Sequence, residues 1–343
     1  MRVIEEGTDM KKHHVIRKLL CLALPFVLLF AWFFAFEPYD WFGLKGDAWY
    51  MNRAISSKRE VLNRHPENLI FGDSHIANLN TDYIASVGGG DWTMMAYGGA
   101  TLNENIQDFW WAAEHTKIRR VVFGLTFYSL NDGHYSEGRH EEAVRMATDP
   151  WAFVKDFVHW DETFLNCRIR IRDLIADRTG REDLRIRLDD PSSLDQDTRP
   201  PEEYDGQYRK DLLNYVNFIL PECQNYSCYN YCQRLEEVIR YCDENGIEIR
   251  FVLFNSNWTV WEKVIYALGI QGQMNFYKDF LKTRAEVIDL EADNEAAHDD
   301  GLFIDGFHVV LEEKLHLARI IFAGEECAYA QVSTPDTYVS TFR

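Results

Sequence analysis

Hydrophobic and polar positions change rhythm along the chain, and each rhythm predicts a different element. Residues 19–36 (LLCLALPFVLLFAWFFAF) run for eighteen positions without a charge. As a helix this span reaches roughly 27 Å, close to the hydrocarbon thickness of a bilayer. Pro25 predicts a bend of a kind that membrane helices tolerate. Residues 37–65 are polar and aromatic with helical stretches, and are expected to form a stalk or a packed entry helix. From residue 66 the pattern alternates. Short apolar runs at 68–71, 92–97, 120–124, 247–255 and 285–290 predict five strands, and amphipathic runs at 101–116, 223–245, 260–282 and 311–322 predict helices between them. Thr101 and Glu104 carry a capping-box signature, and Gly246 closes the helix before the fourth strand. This alternation predicts a three-layer α/β sandwich, a mainly parallel five-stranded sheet with helices on both faces. The charged stretch 132–210, with an Asp/Pro-rich loop at 189–206, is expected to be an insertion into a domain spanning 66–325, leaving 326–343 as a polar tail.

Composition narrows the class. Of 343 residues 46% are hydrophobic and 14% aromatic, ample for a buried core. The formal net charge of −19 argues against a nucleic-acid partner, whose phosphates need clustered Lys and Arg. It fits a domain acting on neutral or cationic substrates. Lys11, Lys12, Arg17 and Lys18 precede the apolar run, while Glu37 and Asp40 follow it. The positive-inside rule then makes 1–18 a cytoplasmic tail and 19–36 a single transmembrane helix, with the folded domain extracytoplasmic at the cell membrane. Trp32, Tyr39 and Trp41 are placed for an aromatic belt at the bilayer surface. No small-x-small cleavage site follows the run, which favours an uncleaved anchor over a signal peptide. Six cysteines lie outside the run, four of them between 223 and 242, so disulfides are expected of an exported domain. Their C-x4-C-x3-C-x9-C spacing, with no His nearby, does not suit zinc.

Candidate chemistry begins where the first strand ends, in Gly72-Asp73-Ser74-His75. Ligand sites of parallel sheets lie at the carboxyl ends of strands, so Ser74 would project at that edge, at the start of a helix. A capped helix explains the same four residues, since Asp and Ser are both common caps. A nucleophilic serine needs a base. Among eleven histidines, His308 stands apart in Phe303-Ile-Asp305-Gly-Phe-His308, where Asp305 can orient the imidazole across one turn. A metal site built from Asp299, Asp300, Asp305 and His308 is the rival reading, without a second His cluster to support it.

The order of these features resembles the SGNH/GDSL hydrolase family across residues 66–325: an early G-D-S at Ser74, a glycine pair Gly98-Gly99 after the second strand, and the late D-x-x-H of Asp305 and His308. The resemblance implies a flavodoxin-like sandwich, a Ser74–His308–Asp305 triad and an oxyanion hole using the N–H groups of Ser74 and Gly98, with no metal or cofactor. Two departures stand out. His75 replaces the usual Leu or Tyr of G-D-S-L/Y, and Gly124-Leu-Thr-Phe-Tyr-Ser-Leu-Asn131 lacks the family's G-x-N. Asn131 is therefore the expected third oxyanion donor, with Thr126 and Tyr128 as substitutes. Asp73, His75, Gly99, Asn255 and Asn257, all at predicted strand ends, are expected to contact substrate. Anchor and motifs together are similar to the membrane-anchored proteins that transfer D-alanine to teichoic acids and to exopolysaccharide O-acetyltransferases. That likeness implies an esterase or O-acyltransferase acting on an envelope glycan or an acyl donor. The alternative it leaves is a non-catalytic protein that binds glycan or a membrane acyltransferase partner.

Overall fold

The computed structural model describes residues 3–37, 39–43, 52–88, 90–155, 160–185 and 205–340. In chain order the elements are α1 (Val3–Phe36), α2 (Arg53–Arg64), β1 (Asn68–Phe71), α3 (Ser74–Ala77), α4 (Thr81–Gly88) and β2 (Thr93–Met94). There follow α5 (Leu102–His115), β3 (Arg120–Leu125), α6 (Arg139–Thr148), α7 (Pro150–Lys155), α8 (Trp160–Thr179) and α9 (Asp205–Glu222). The chain ends in α10 (Tyr229–Asn245), β4 (Glu248–Leu253), α11 (Trp258–Val260), α12 (Gln271–Lys282), β5 (Glu286–Asp289), α13 (Leu311–Ala318) and β6 (Gln331–Ser333).

Two compact units share these elements. Residues 1–51 with 150–188 form one, and residues 52–149 with 189–343 the other. In the first, His14–Phe36 of α1 is 23 residues long, long and apolar enough to cross a membrane. Glu37 ends this helix by accepting the N–H groups of Tyr39 (3.0 Å) and Trp41 (3.1 Å). Helix α8 packs on its last turns: Trp32 meets Phe164 at 4.8 Å between ring centroids, and Asn166 Nδ2 donates to the Phe36 carbonyl at 2.7 Å. The expected insertion is thus divided. Helices α7 and α8 belong with α1, whereas α6 and α9 belong with the sheet. The Asp/Pro-rich loop, up to residue 204, and residues 44–51 of the expected stalk lie outside the described residues.

The second unit is built on a sheet of order β2-β1-β3-β4-β5-β6, parallel except for β6. Register aligns Phe71, Phe123 and Phe251 across β1, β3 and β4. The period of two sends Leu69, Phe71, Val121, Phe123, Phe251 and Val287 to one face, against α5, α10 and α12. Ile70, Val122, Val252 and Ile288 face the other way, against α3, α4 and α13. Both faces are covered, so the strands read as continuous apolar runs.

Three sequence expectations change. The sheet has a sixth strand, because Gln331–Ser333 in the expected tail pairs antiparallel along β5. Three residues are too few to show a periodic signal, yet they cover an edge that would otherwise be open. The helix expected over 260–282 breaks at Gly269 (φ +66°) into a wide turn and α12. All seven cysteines are free thiols, and Cys223, Cys228, Cys232 and Cys242 pack as small hydrophobes in the core. Of the two forms expected for 37–65, the packed helix is the one seen at α2, a core element. Its Lys58 is fully buried and pairs with Asp108 of α5 at 2.7 Å, while His140 of α6 bonds the same carboxylate oxygen at 2.5 Å.

Two stability predictions follow from buried charge. Lys58→Met strands Asp108 and costs about 3–5 kcal/mol by urea unfolding, whereas adding Asp108→Leu recovers most of the loss. Unchanged stability in the single variant contradicts the pairing. Glu291, just beyond β5, is buried and accepts the Phe127 N–H at 2.7 Å, the Tyr277 hydroxyl also donating to it. Burial pushes its carboxyl up from about 4.5 to about 7, against the opposing charge of Lys278. The folded state then holds a proton that the unfolded chain releases, so stability falls as pH rises from about 4.5 to about 7. The expected loss is on the order of 2–3 kcal/mol. Glu291→Gln should flatten that slope, and an unaltered slope would refute the assignment.

Candidate active site

Strand β1 delivers Ser74 to the carboxyl edge of the sheet through a turn that only glycine fits. Gly72 has φ +148°, and a Cβ there would lie 2.7 Å from the Gly124 carbonyl oxygen of β3 and 2.6 Å from the Ile76 side chain. Asp73 caps the turn by accepting the His75 N–H at 2.9 Å. Helix α3, the helix expected after Ser74, is a single turn and so offers the serine only a small dipole.

The base comes from a clip at the other end of the chain. Phe303 bridges Val309, and Ile304 N–H donates to the His308 carbonyl at 2.7 Å, closing residues 303–309 into a tight hairpin. Inside it, one Asp305 oxygen accepts the N–H groups of Phe307 (3.1 Å) and His308 (2.9 Å), and the other takes His308 Nδ1–H at 2.7 Å. That bond fixes the tautomer and leaves His308 Nε2 to accept from Ser74 Oγ, also 2.7 Å away. Burial alone would raise the Asp305 carboxyl, but the hydrogen bonds and charge of His308 outweigh it and hold the group below the usual range. Ser74, His308 and Asp305 thus form a continuous relay at hydrogen-bond distance.

Gly306 (φ +95°) lets Leu212 of α9 press on this hairpin, and Asn257 N–H anchors the Gly306 carbonyl at 2.9 Å. From the same helix, Tyr215 packs on Phe307 (5.1 Å) and His308 (6.0 Å) and walls the triad. Burial and the Asp305 charge push its hydroxyl up to about 12.

Gly98 and Gly99 leave the strand beside β1, with Met95 and Ala96 N–H both donating to Ile70 O. Both glycines are exposed, with open space where a side chain would be. The turn that carries them is clamped by Arg139 of α6. Its Nη2 donates to the Gly99 carbonyl at 2.8 Å, its guanidinium binds both oxygens of Glu104 (2.6 and 2.9 Å), and it lies 4.9 Å over the Tyr97 ring. Glu104 also takes Thr101 N–H, completing the capping box expected from the sequence.

Asn131 does not meet the expectation of a third donor at Ser74. It is buried, its Nδ2 donates to the Glu222 carbonyl at the end of α9 at 3.0 Å, and its Oδ1 accepts Gly133 N–H at 3.3 Å within the loop after β3. The two substitutes are also engaged: Thr126 and Ser129 bond each other, and the Tyr128 hydroxyl donates to Glu222. Asn255 and Asn257, expected to contact substrate, have their amides engaged with other protein groups. Asn255 Nδ2 donates to Ala292 O (2.9 Å), and Asn257 Nδ2 donates to Asp300 (2.7 Å). Asp299 caps Gly301 and Asp300 binds Asn257, so Asp305 is the acidic residue of this group that turns toward His308. His75 sits beneath the triad, bonded to Asp73 at 2.7 Å.

Three contributors had no signature in the sequence. Asn105 of α5 accepts the Gly72 N–H at 3.2 Å and steadies the nucleophile turn. Arg139 and Tyr215 arrive from helices whose placement is a tertiary matter.

No family model matches the chain, and no curated protein does. Among solved structures, the chain is similar to a Streptococcus pneumonia protein provisionally named a platelet activating factor, at 11% identity and a TM-score of 0.34, covering 88% of this chain and 98% of that one. It is also similar to a protein of Bacteroides fragilis provisionally named an acylhydrolase, at 9% identity and a TM-score of 0.36, covering 80% and 93%. At these scores the likeness carries no functional weight.

Proposed function

We propose that the chain is a membrane-anchored serine esterase or O-acyltransferase that forms an acyl-enzyme on Ser74 and acts on ester groups of a cell-envelope glycan or polymer. One observation carries this reading: His308 stands at 2.7 Å from both Ser74 Oγ and Asp305 Oδ2. In the first step Ser74 Oγ bonds the ester carbonyl carbon while its proton passes to His308 Nε2. Asp305 stabilises the imidazolium. The N–H groups of Ser74 and Gly98 are the proposed oxyanion donors, the second held in place through Arg139 and the Gly99 carbonyl. As the C–O bond of the ester breaks, His308 returns the proton to the departing alcohol. Water or a sugar hydroxyl then attacks the acyl-enzyme by the same route in reverse.

The apolar helix His14–Phe36 supports anchoring, and with basic residues ahead of it supports an extracytoplasmic domain. The envelope glycan as substrate rests on the resemblance of the motifs alone.

Purified in detergent, the full chain is expected to hydrolyse p-nitrophenyl acetate. Ser74→Ala and His308→Ala should each lower kcat/KM by about 10³-fold or more, and Asp305→Asn by about 10²–10⁴-fold. Full activity in Ser74→Ala would exclude the assignment.

A further inference from the structure

His75 occupies the position where the G-D-S-L/Y pattern has a Leu or Tyr, and the structure makes it half of a second Asp–His pair. Its Nδ1 lies 2.7 Å from Asp73 Oδ1, and its own N–H donates to the same oxygen at 2.9 Å. Asp73 is the residue before the nucleophile, so this pair is built into the turn that presents Ser74. The His75 ring lies beneath that of His308, with centroids 5.6 Å apart and planes at 29°. Phe307 meets it edge-on at 5.7 Å and Phe254 lies at 5.9 Å. Enclosed by these rings, His75 Nε2 is buried and has no hydrogen-bond partner. An apolar side chain would fill this space without that cost.

The charges around the ring suggest why an imidazole stands there. Asp73 faces it from its own turn, Asp305 and His308 from the 303–309 hairpin, and Glu291 from the segment after β5. Tyr215 stands beyond Phe307 and His308 on α9. Burial alone would lower the proton affinity of His75, but the charge and hydrogen bond of Asp73, then Asp305 and Glu291, raise it above the ordinary histidine value. Asp73 is correspondingly held below the usual carboxylate range, burial being outweighed by His75. The pair is therefore one in which each partner favours the charged form of the other, with the His75 ring lying under the base of the relay.

We propose that His75 is a positioning residue that acts through His308: held by Asp73 at 2.7 Å and lying under the His308 ring, it balances the Asp73 carboxylate that would otherwise act on the base. His75 touches no reacting atom. The sign of the effect is fixed by its charge. Without His75, Asp73 is left uncompensated near His308 and favours the imidazolium, so His308 must hold its proton to higher pH. The His75 and His308 rings are 5.6 Å apart, and losing a charge at that distance shifts the other ring by roughly 1–2 pH units for an effective dielectric constant of about 20.

The inference deepens the esterase reading but is tested apart from it, by NMR titration of the full chain in detergent micelles with isotope-labelled histidine. His308→Gln identifies the resonance. His75→Leu and His75→Gln should both raise the His308 midpoint, and Asp73→Asn combined with His75→Leu should bring it back toward the wild-type value. The acid limb of kcat/KM on p-nitrophenyl acetate should move in the same sense. A space-filling role predicts that His75→Leu leaves the midpoint in place, and an unmoved midpoint in both single variants overturns the proposal. If the titration shifts while Ser74→Ala retains activity, the esterase reading fails and the role of His75 stands.

Discussion

The hydrogen bond between Ser74 and His308 joins residues 234 positions apart, and the geometry of the sheet unit converges on it. Two local devices bring the partners to it. The Gly72 turn, which only glycine can make against Gly124, turns the end of β1 into a short helical turn headed by Ser74. The 303–309 hairpin locks Asp305 and His308 into a unit that is complete before it reaches the serine, because all three Asp305 bonds are made within the hairpin. The parallel sheet does the rest by bringing strand ends to one edge. A shift of an ångström at either device would lengthen the Ser74–His308 contact and cost rate steeply.

Buried charge is spent in the same local way throughout the sheet unit. Glu104 is shared between its helix cap and Arg139, which in turn holds the glycine turn, so one carboxylate ties α5, α6 and the Gly98–Gly99 loop together. Asp108 gathers Lys58 and His140 and fastens α2 to the same helices. Glu291 fixes the loop after β3 through Phe127. In a chain with a net charge of −19, these carboxylates are held by directed partners inside the fold.

Much of this was legible in the sequence, for a physical reason. G-D-S-H and D-G-F-H are turns whose Asp–His bonds close among their own few residues, and the Thr101–Glu104 box is equally local. The strand–helix alternation was visible because each strand is buried on both faces. What stayed hidden depends on contacts remote in sequence. Asn131 was a reasonable donor by position, but the loop after β3 consumes its amide in holding Glu222. Arg139, Asn105 and Tyr215 sit on ordinary amphipathic helices and gain meaning only from what they pack against. β6 is too short to stand out, and cysteine spacing alone could not separate paired thiols from the free, core-packed ones found here.

The most direct test of the relay is covalent. A fluorophosphonate probe added to the folded chain, followed by digestion and tandem mass spectrometry, reports which hydroxyl has been made nucleophilic. The geometry predicts a single adduct on Ser74, lost when His308 is replaced. An adduct on another serine, or ester turnover in a chain whose Ser74 stays unmodified, would contradict it.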